Sequence, residues 1–152
     1  ANRRRAEQQL QLAIAQFQRY QTPATVLLLD IDHFKRINDN FGHDIGDLVL
    51  KQLAQAWQTE LRSSDLLARF GGEEFLVLAT QTNLDDAVLL AEKLRASTAA
   101  LTIPQVGKVT VSIGVAPFTP DNLEHELFLK QADEALYRAK QTGRNQVRLA
   151  LS

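Results

Sequence analysis

The sequence contains no cysteine, and this absence excludes both disulfide bonds and thiolate metal sites. No apolar run approaches the ~20 residues that a membrane-spanning helix needs, and no signal-peptide pattern opens the chain. We therefore expect a domain from a reducing, cytoplasmic compartment, although its parent protein can still be anchored to a membrane. The formal net charge of -1 lacks the basic excess that is typical of nucleic-acid binding, so we expect no nucleic-acid partner.

Methionine is also absent, and the chain opens on Ala1, so we expect a piece of a longer protein. Its 152 residues, 45% hydrophobic and 23% charged, are typical of a single globular domain spanning 1–152. Neither the P-loop pattern G-x-x-x-x-G-K-[ST] nor the dinucleotide pattern G-x-G-x-x-G occurs. A nucleotide, if bound, must be held by another arrangement.

Hydrophobic periodicity predicts the order of helices and strands. The elements are a helix ending before Pro23, a buried strand from Ala24 to Leu29, a helix from Ile45 to Leu61, two strands at 66–70 and 75–79, a helix from Leu84 to Thr98, an alternating strand at 109–115, a helix from Leu127 to Gln141 and an edge strand at 147–149. Asn83 is the expected N-cap of the helix that begins at Leu84. The small residues Thr110, Ser112 and Gly114 on one face of the alternating strand predict a close approach there. Hairpin-linked strands mixed with helices indicate an α+β domain, with a mainly antiparallel central β-sheet flanked by helices.

The segment Gly71-Gly72-Glu73-Glu74-Phe75 joins two short apolar runs and is typical of a β-hairpin turn, because glycine adopts positive φ without strain. The turn itself does not require two adjacent carboxylates. Since successive strand residues point to opposite faces, we expect different jobs for Glu73 and Glu74. A solvated acidic turn is the structural alternative, and the pentapeptide alone does not decide between the two.

Two further carboxylates, Asp30 and Asp32, follow the apolar strand. A carboxylate at the end of a buried strand is costly unless it is paired, hydrogen-bonded or bound to a metal. Their spacing of two would place both side chains on one face of an extended backbone. Asp32 can instead cap a helical turn that begins near His33, and we favour this interpretation for Asp32 but not for Asp30.

If the first strand and the hairpin are neighbours, Asp30, Asp32 and Glu73 or Glu74 converge. Two carboxylates ~4 Å apart repel by roughly 4 kcal/mol at an effective dielectric constant of 20, so a cation is needed to hold them together. Oxygen ligands without His or Cys select Mg²⁺, Mn²⁺ or Ca²⁺, and Mg²⁺ commonly completes its shell with substrate phosphates.

Two basic residues near the end of the last helix suit a phosphate. Lys140 and Arg144 are four residues apart, and their side chains can bind phosphate oxygens. Basic residues also favour a helix C-terminus through its partial negative charge, so this alternative stays open. Together with the carboxylates, the residues alone predict a metal-dependent nucleotide site.

Residues 34–47 are too polar for a core segment and rich in distinct functional groups. Asp44 or Asp47 can cap the helix that follows, which is the common role of Asp at such a position. His43 alone is most simply an incidental loop histidine.

Three separated blocks of the sequence together carry a family resemblance. They are Asp30-Ile31-Asp32-His33-Phe34-Lys35 through Gly42-His43-Asp44-Ile45-Gly46-Asp47, the GGEEF segment with Arg69-Phe70 before it, and Ala132-Asp133-Glu134-Ala135-Leu136-Tyr137 through Lys140 and Gly143-Arg144-Asn145. In this order the blocks resemble the GGDEF domain of diguanylate cyclases, in its GGEEF variant, over essentially the whole chain. The resemblance implies the palm-like fold of nucleotidyl cyclases.

The chain start adds to the resemblance. Ala1-Asn2-Arg3-Arg4 resembles the end of the family's usual D-x-L-T-G-L-x-N-R-R opening. We therefore expect the first residues of the domain, and an upstream sensor region of the parent protein, to precede this chain.

The resemblance implies a reaction in which two GTP molecules condense to cyclic di-GMP with loss of two pyrophosphates. It implies two Mg²⁺ (or Mn²⁺) ions per site, held by Asp30, Glu73 and the main-chain carbonyl of Ile31, with Glu74 beside the metals. Glu73 is also the implied general base towards the ribose 3′-hydroxyl, and the division of roles between the two glutamates stays open.

The resemblance also implies how GTP is held. Asn38 and Asp47 would contact the guanine, His43 would lie near the base and ribose, Lys140 and Arg144 would hold the terminal phosphates, and backbone amides around Phe34 and Lys35 would contact the phosphates too. Each domain would hold one GTP, so catalysis would require a homodimer with two domains face to face.

Arg62-Ser63-Ser64-Asp65 stands five residues before the first glycine of GGEEF. This placement matches the R-x-x-D inhibitory site of the family, where cyclic di-GMP binds and holds the domains apart. An arginine fork suits a phosphate or the guanine edge, and Asp accepts hydrogen bonds from guanine N–H groups. The alternative is an ion pair at the end of a surface helix.

Two other functions compete with an active cyclase. One is a catalytically silent module that binds GTP or cyclic di-GMP, and the other is a metal-binding scaffold without a nucleotide. No substitution among the matched positions would disable chemistry, so the sequence favours the enzyme.

Overall fold

The computed structural model describes residues 2–151. Within that range the helices and strands are α1 (Arg3–Tyr20), β1 (Ala24–Ile31), α2 (Phe34–Phe41), α3 (His43–Glu60), β2 (Leu66–Gly71), β3 (Glu74–Thr80), α4 (Leu84–Ala100), β4 (Thr102–Ile103), β5 (Gly107–Lys108), β6 (Val111–Pro117), α5 (Leu127–Gln141) and β7 (Val147–Leu149). None of the helices in the described part of the chain is long and apolar enough to span a membrane.

The main sheet has the strand order β2-β3-β1-β6-β7. All its pairings are antiparallel except that of β6 with β7, which is parallel. Strands β4 and β5 form a separate two-stranded hairpin. The predicted α+β class, with a mainly antiparallel central sheet flanked by helices, is confirmed.

The central strand β1 is buried along its whole length, as its apolar sequence predicts. Its side chains alternate between two hydrophobic clusters. Leu27 and Leu29 pack on one side with the apolar faces of α3 and α4, whereas Val26 and Leu28 pack on the other side with α1 and α5. Helices therefore cover both faces of the sheet, and β1 ends at an edge where its last residues can form a site.

Two close contacts fix the helices on the sheet. The indole of Trp57 on α3 lies edge-to-face against Phe75 of β3, with 5.1 Å between ring centroids, and its N–H donates to Thr98 Oγ1 on α4 at 2.7 Å. On the other face, a Cβ at Gly114 of β6 would lie 2.1 Å from the carbonyl oxygen of Ala132 on α5. The predicted close approach to the small-residue face of β6 is thus confirmed, because only glycine lets α5 pack so near.

The structure corrects several details of the prediction. Residues 34–41 form a helix, α2, whose Phe34 and Ile37 are buried, so this polar segment does contribute to the core. The short β4–β5 hairpin was not predicted, and β6 begins at Val111 rather than at residue 109. Phe34 and Ile37 are three residues apart and so share one helical face, and this spacing was the sequence signal that indicated α2.

The predicted cap of α3 is also wrong. Gly42, with φ 89°, is the N-cap, and no side chain caps this end. Asp44 lies in the first turn, where its charge suits the positive end of the helix, and Asp47 is an exposed residue further along. By contrast, the predicted cap of α4 is confirmed, since the Asn83 side chain accepts from the Asp86 N–H at 3.0 Å.

Candidate active site

The end of β1 and the glycine turn meet, as the sequence predicts. In the antiparallel register Asp30 lies opposite Glu74, and the Ile31 N–H donates to the carbonyl of Glu73 at 3.4 Å. Gly72 occupies the turn with φ 38°, a value that glycine adopts without the Cβ penalty. The backbone therefore brings the acidic residues of two separate sequence blocks to one edge of the sheet.

Asp30 is a buried carboxylate with one cationic partner. Lys140 at the end of α5 donates from Nζ to Asp30 Oδ2 at 2.6 Å. Burial nevertheless raises the pKa of Asp30 above its ordinary value, and the nearby Glu73 and Asp32 charges raise it further, against the opposing effect of Lys140. The site thus disfavours the ionised form of Asp30 unless more positive charge is supplied.

Glu74 shares this environment. Burial raises the pKa of Glu74, and the charges of Asp133 on α5 and of Asp30 add to the rise, while Lys140 opposes it. The sequence analysis assigned no role to Asp133. Asp133 lies seven residues before Lys140, which is about two turns of α5, so both residues share one face of the helix. This spacing was the sequence signal that Asp133 lies towards the same edge as Lys140.

Asp32 does not cap α2, and the interpretation favoured from the sequence is wrong. Its Oδ1 accepts from Ser112 Oγ at 2.7 Å, and its Oδ2 accepts from Thr110 Oγ1 at 2.7 Å and from the Asn145 N–H at 3.0 Å. His33, in a left-handed conformation, is the N-cap of α2 and makes no side-chain cap bond. Asp32 therefore joins β1, β6 and the segment after α5.

Helices α2 and α3 present the residues implied for guanine recognition. The side-chain oxygen Oδ1 of Asn38 is buried without a hydrogen-bond partner among the described residues. Gly46 of α3 leaves room for it, because a Cβ there would lie 1.8 Å from that oxygen. A buried acceptor without a hydrogen-bond donor is costly, so this oxygen is an unsatisfied polar group in the described part of the chain.

The other implied substrate residues lie at exposed positions around this edge. Phe34 is buried at the start of α2, whereas Lys35, His43, Asp47 and Arg144 are exposed. Asp47 also borders a cavity of about 570 Å³ between α3 and the β2–β3 hairpin. The residues implied for base and phosphate binding are thus solvent-accessible, and the apolar ring of Phe34 belongs to the core.

Arg62 and Asp65 form a separate feature at the end of α3. Arg62 donates to Asp65 Oδ1 at 3.1 Å and to the carbonyl of Thr80 at 2.6 Å, and the Asp65 carboxylate also accepts from the Arg62 N–H at 3.0 Å. The Asp65 side chain is 2% exposed and that of Arg62 is 56% exposed. The ion-pair arrangement noted as an alternative is therefore present, and about half of the Arg62 side chain still faces solvent.

The residues at the sheet edge fit a hard divalent cation. Within residues 2–151, no group of three or more His, Cys, Asp or Glu side chains is already arranged around a common metal position. The donors are nevertheless all oxygens, and the pKa values of Asp30 and Glu74 are raised, first by burial and then by neighbouring carboxylate charges. Carboxylates crowded in this way are the ligands that Mg²⁺ and Mn²⁺ prefer.

Comparison with known families is consistent with this geometry. The family model described as "Diguanylate cyclase, GGDEF domain" matches residues 1–146. The chain therefore belongs to the GGDEF domain family. It is 40% identical over 151 residues to the probable diguanylate cyclase DgcC of Escherichia coli strain K12, an alignment that covers 98% of this chain and 41% of DgcC. The chain thus spans less than half the length of this curated relative.

Solved structures of the family share the whole architecture. The active GGEEF domain of a diguanylate cyclase from Vibrio cholerae matches with a TM-score of 0.94 at 33% identity, covering 100% of this chain and 98% of that one. The GGDEF domain of DgcB from Caulobacter crescentus, solved in complex with c-di-GMP, matches with a TM-score of 0.93 at 32% identity, covering 100% of this chain and 92% of that one.

Proposed function

We propose that this domain condenses two GTP molecules into cyclic di-GMP and two pyrophosphates, with Mg²⁺ or Mn²⁺ as cofactor. The observation that carries the proposal is the register of β1 with β3, which brings Asp30 opposite Glu74 next to the GGEEF turn in a chain of this family. Crowded buried carboxylates at one sheet edge suit a metal-assisted phosphoryl transfer, in which positioning and charge neutralisation do most of the work.

The metal ligands in this proposal are Asp30, Glu73 and the main-chain carbonyl of Ile31, with Glu74 beside two divalent cations. When bound, these cations neutralise charge on the triphosphate and polarise the attacked phosphoryl group. The chain's own residues supply the oxygen ligands and hold them at the sheet edge through the β1–β3 pairing. Burial is the main cause of the raised pKa values of Asp30 and Glu74, and the neighbouring carboxylate charges add to it; bound cations would offset both effects by stabilising the ionised carboxylates.

The phosphates are held by the end of α5 and the start of α2. Lys140 and Arg144 bind the terminal phosphate oxygens, and the backbone N–H groups around Phe34 and Lys35 add further donors. Lys140 exchanges its contact with the Asp30 carboxylate, 2.6 Å away, for a phosphate when the substrate arrives. Lys140 thus pairs with the Asp30 carboxylate in this structure and would bind a phosphate of the substrate instead.

The base and the attacking hydroxyl complete the arrangement. The Asn38 oxygen accepts a guanine N–H, which supplies the partner that it lacks within the chain, and Asp47 and His43 border the same region. Glu73 accepts the proton of the ribose 3′-hydroxyl at a carboxylate oxygen. Glu73 is half-buried beside the exposed glycines of the turn, so its carboxylate is still accessible to a second molecule.

Two domains are needed, because each holds one GTP and the attacking hydroxyl comes from the partner's nucleotide. The product, cyclic di-GMP, binds at Arg62 and Asp65 and keeps the two domains apart. The half-exposed side chain of Arg62 supports this role, since an arginine open to solvent can bind a phosphate or a guanine edge. The rate per domain is expected to rise with domain concentration, and a constant rate per domain would contradict the need for two domains.

The test is incubation of the purified domain at high concentration with GTP and Mg²⁺, followed by chromatographic detection of cyclic di-GMP. Wild type is expected to form the product, and chelation of the metal is expected to stop it. Glu73→Ala is expected to abolish product while preserving the fold, and the control Glu124→Ala, an exposed acid before α5, is expected to keep full activity.

Two outcomes would overturn the assignment. Normal turnover by Glu73→Ala would remove the general base from the account. GTP that binds and is recovered unchanged under all conditions would instead favour the catalytically silent binding module.

A further inference from the structure

The buried carboxylate of Asp32 ties three parts of the chain together. It receives the hydroxyls of Thr110 and Ser112, each at 2.7 Å, and the main-chain N–H of Asn145 at 3.0 Å. Its own N–H donates to the carbonyl of Thr110 at 2.9 Å, so hydrogen bonds hold both the backbone and the side chain of Asp32. Only 5% of Asp32 is exposed. Asp32 is thus held in place by several hydrogen bonds, and it anchors the segment after α5 through the Asn145 N–H.

That segment has an uncommon backbone conformation. After Gly143, with φ 123°, the consecutive residues Arg144 and Asn145 have φ values of 63° and 47°. Two successive non-glycine residues in the left-handed region are unfavourable, because the Cβ approaches the following carbonyl, and they persist only where surrounding contacts hold them. The backbone of Arg144 therefore needs restraint from outside its own turn.

Four hydrogen bonds provide the restraint. The Arg144 N–H donates to the carbonyl of Ala139 at 2.9 Å, and the Arg144 carbonyl accepts from Gln146 Nε2 at 3.3 Å. The Asn145 N–H donates to Asp32, and the Asn145 side chain accepts from Arg95 at 2.9 Å. Of these four, the bond to Asp32 is the one that links the segment to the end of β1, the strand that carries Asp30.

We propose that Asp32 is a positioning residue for Arg144: it fixes the peptide that follows the arginine and so aims the guanidinium at the terminal phosphates of the nucleotide. The proposal rests on the function proposed above, in which Arg144 binds those phosphates. Because Asp30 lies in β1 and Asp32 directly follows that strand, the same strand end sets the metal ligand and, through Asn145, the phosphate ligand.

The hydrogen bonds also separate the roles of the two aspartates. The Asp32 oxygens already accept three donors from the chain, of about four lone-pair positions that a carboxylate offers. Asp30 accepts one donor, Lys140. Asp32 therefore acts through the backbone of its neighbours, whereas Asp30 keeps capacity for an external cation.

Two substitutions at this position distinguish geometry from charge. In Asp32→Asn the amide oxygen can accept from Thr110 and the Asn145 N–H, and the amide nitrogen can donate to the Ser112 hydroxyl. This variant therefore keeps the hydrogen bonds and removes the negative charge. In Asp32→Ala both are removed. If positioning is the role, Asp32→Asn behaves like wild type in binding GTP, and Asp32→Ala behaves like Arg144→Ala.

The experiment is equilibrium binding of GTP and of GMP in the presence of Ca²⁺, which limits turnover, to wild type, Asp32→Ala, Arg144→Ala and the double variant. Asp32→Ala is expected to raise Kd for GTP about tenfold, the size expected for one lost charge-assisted contact, and to leave Kd for GMP nearly unchanged. The double variant is expected to bind GTP no more weakly than Arg144→Ala. Additive losses, or equal losses for GTP and GMP, would overturn the proposal.

Amide hydrogen exchange measured by NMR gives a structural readout that does not depend on activity. The Asn145 N–H is expected to be protected in wild type and in Asp32→Asn and to exchange freely in Asp32→Ala. Asn122→Ala is the matched control, because it removes a buried side chain with three hydrogen bonds at the opposite end of α5. A loss of Asn145 protection in this control would indicate general destabilisation and would overturn the proposal.

A further variant keeps the test decisive if Asp32→Ala does not fold. Thr110→Val removes one anchor of the carboxylate and keeps its charge, so it is expected to weaken the binding of GTP but not of GMP; an unchanged Kd for GTP would refute the role of Asp32. Formation of cyclic di-GMP is measured separately. Its absence, together with the expected binding pattern, would refute the proposed function and leave the positioning role standing.

Discussion

Lys140 Nζ lies 2.6 Å from Asp30 Oδ2, and this ion pair joins the end of α5 to the end of the central strand. The same edge carries Glu73, Glu74 and Asp133, whose charges act on Asp30 or on one another. One ammonium therefore faces four carboxylates. Negative charge is thus in excess at this edge, and the Lys140 ammonium offsets only part of it. A divalent metal, bound together with a phosphate, can offset the rest.

The stability of the metal-free domain is expected to depend on pH through this edge. The pKa values of Asp30 and Glu74 are raised, mainly by burial. The folded state thus binds these protons more tightly than the unfolded chain does, so the stabilising contribution is complete below the ordinary carboxylate pKa of about 4 and is lost as pH rises through the raised values. Thermal unfolding in the presence of a chelator is expected to show Asp30→Asn gaining stability over wild type as pH increases.

Saturating Mg²⁺ provides the control for this prediction. A cation that binds the ionised carboxylates stabilises wild type and not Asp30→Asn, so the advantage of the variant is expected to shrink or reverse. An advantage that falls with rising pH in the chelated protein would contradict the assigned pKa directions.

Gly46→Ala is expected to weaken the recognition of guanine. Alanine in a helix interior is normally favoured over glycine by about 1 kcal/mol. Here the added Cβ would lie 1.8 Å from Asn38 Oδ1, so the Asn38 side chain must move. We expect roughly a tenfold rise in Kd for GTP, since one polar contact to the base is lost, and a smaller preference for GTP over ATP.

Asn38→Ala is the comparison for Gly46→Ala, and competition binding with GTP and ATP is the measurement. Both variants are expected to lose base discrimination to a similar degree. If Asn38→Ala loses it and Gly46→Ala keeps it, the steric account of Gly46 is wrong.

Arg62→Ala is expected to relieve inhibition by cyclic di-GMP without lowering the uninhibited rate. The Arg62 side chain is half exposed and open to a ligand, while the backbone N–H that donates to the Asp65 carboxylate remains in the variant. Initial rates measured at increasing cyclic di-GMP concentration test this prediction. Arg19→Ala, an exposed arginine on α1, is the control and is expected to keep inhibition. An inhibition constant that Arg62→Ala leaves unchanged would remove the product site from this position.

Thr98→Val is expected to lower the free energy of unfolding by about 1–3 kcal/mol, because the buried indole N–H of Trp57 loses its acceptor. The Thr98 hydroxyl accepts from Trp57 Nε1 at 2.7 Å and donates to the carbonyl of Leu94 at 2.7 Å. Trp57 is the single tryptophan of the sequence, so urea unfolding can be followed by its fluorescence. Thr98→Ser keeps the hydroxyl and is expected to lose much less stability, and equal losses for the two variants would contradict the hydrogen-bond explanation.

Local sequence patterns were sufficient for the parts of the fold that local forces determine. The continuous apolar run of β1 predicted a strand buried on both faces, and Asn83 predicted the start of α4, because burial and capping are each decided by a few neighbouring residues. The small face of β6 predicted the close approach that Gly114 allows to α5. The meeting of Asp30 with the glycine turn also followed from the expected neighbourhood of their two strands.

The contacts that the sequence did not predict depend on distant partners. Asp32 was interpreted as a local cap, whereas its partners are 78, 80 and 113 residues away. Likewise, Asp133 acquires its influence on Glu74 only when α5 lies against the sheet. A helical turn was expected near His33, but the extent of α2 to Phe41 was not predicted, because the polar residues of 34–47 obscured one short apolar face. Side-chain partners of this kind are determined by tertiary packing, and hydrophobic periodicity predicts helices and strands but not the contacts between them.

The most direct test of the central claim is anomalous diffraction from crystals of the domain grown with Mn²⁺ and a GTP analogue that cannot cyclise. The account predicts manganese peaks bounded by the carboxylates of Asp30 and Glu73, with the analogue's phosphates on the other side and Lys140 moved from Asp30 to a phosphate oxygen. Manganese bound elsewhere, or nucleotide bound with Asp30 still paired to Lys140 and no metal beside it, would contradict the account.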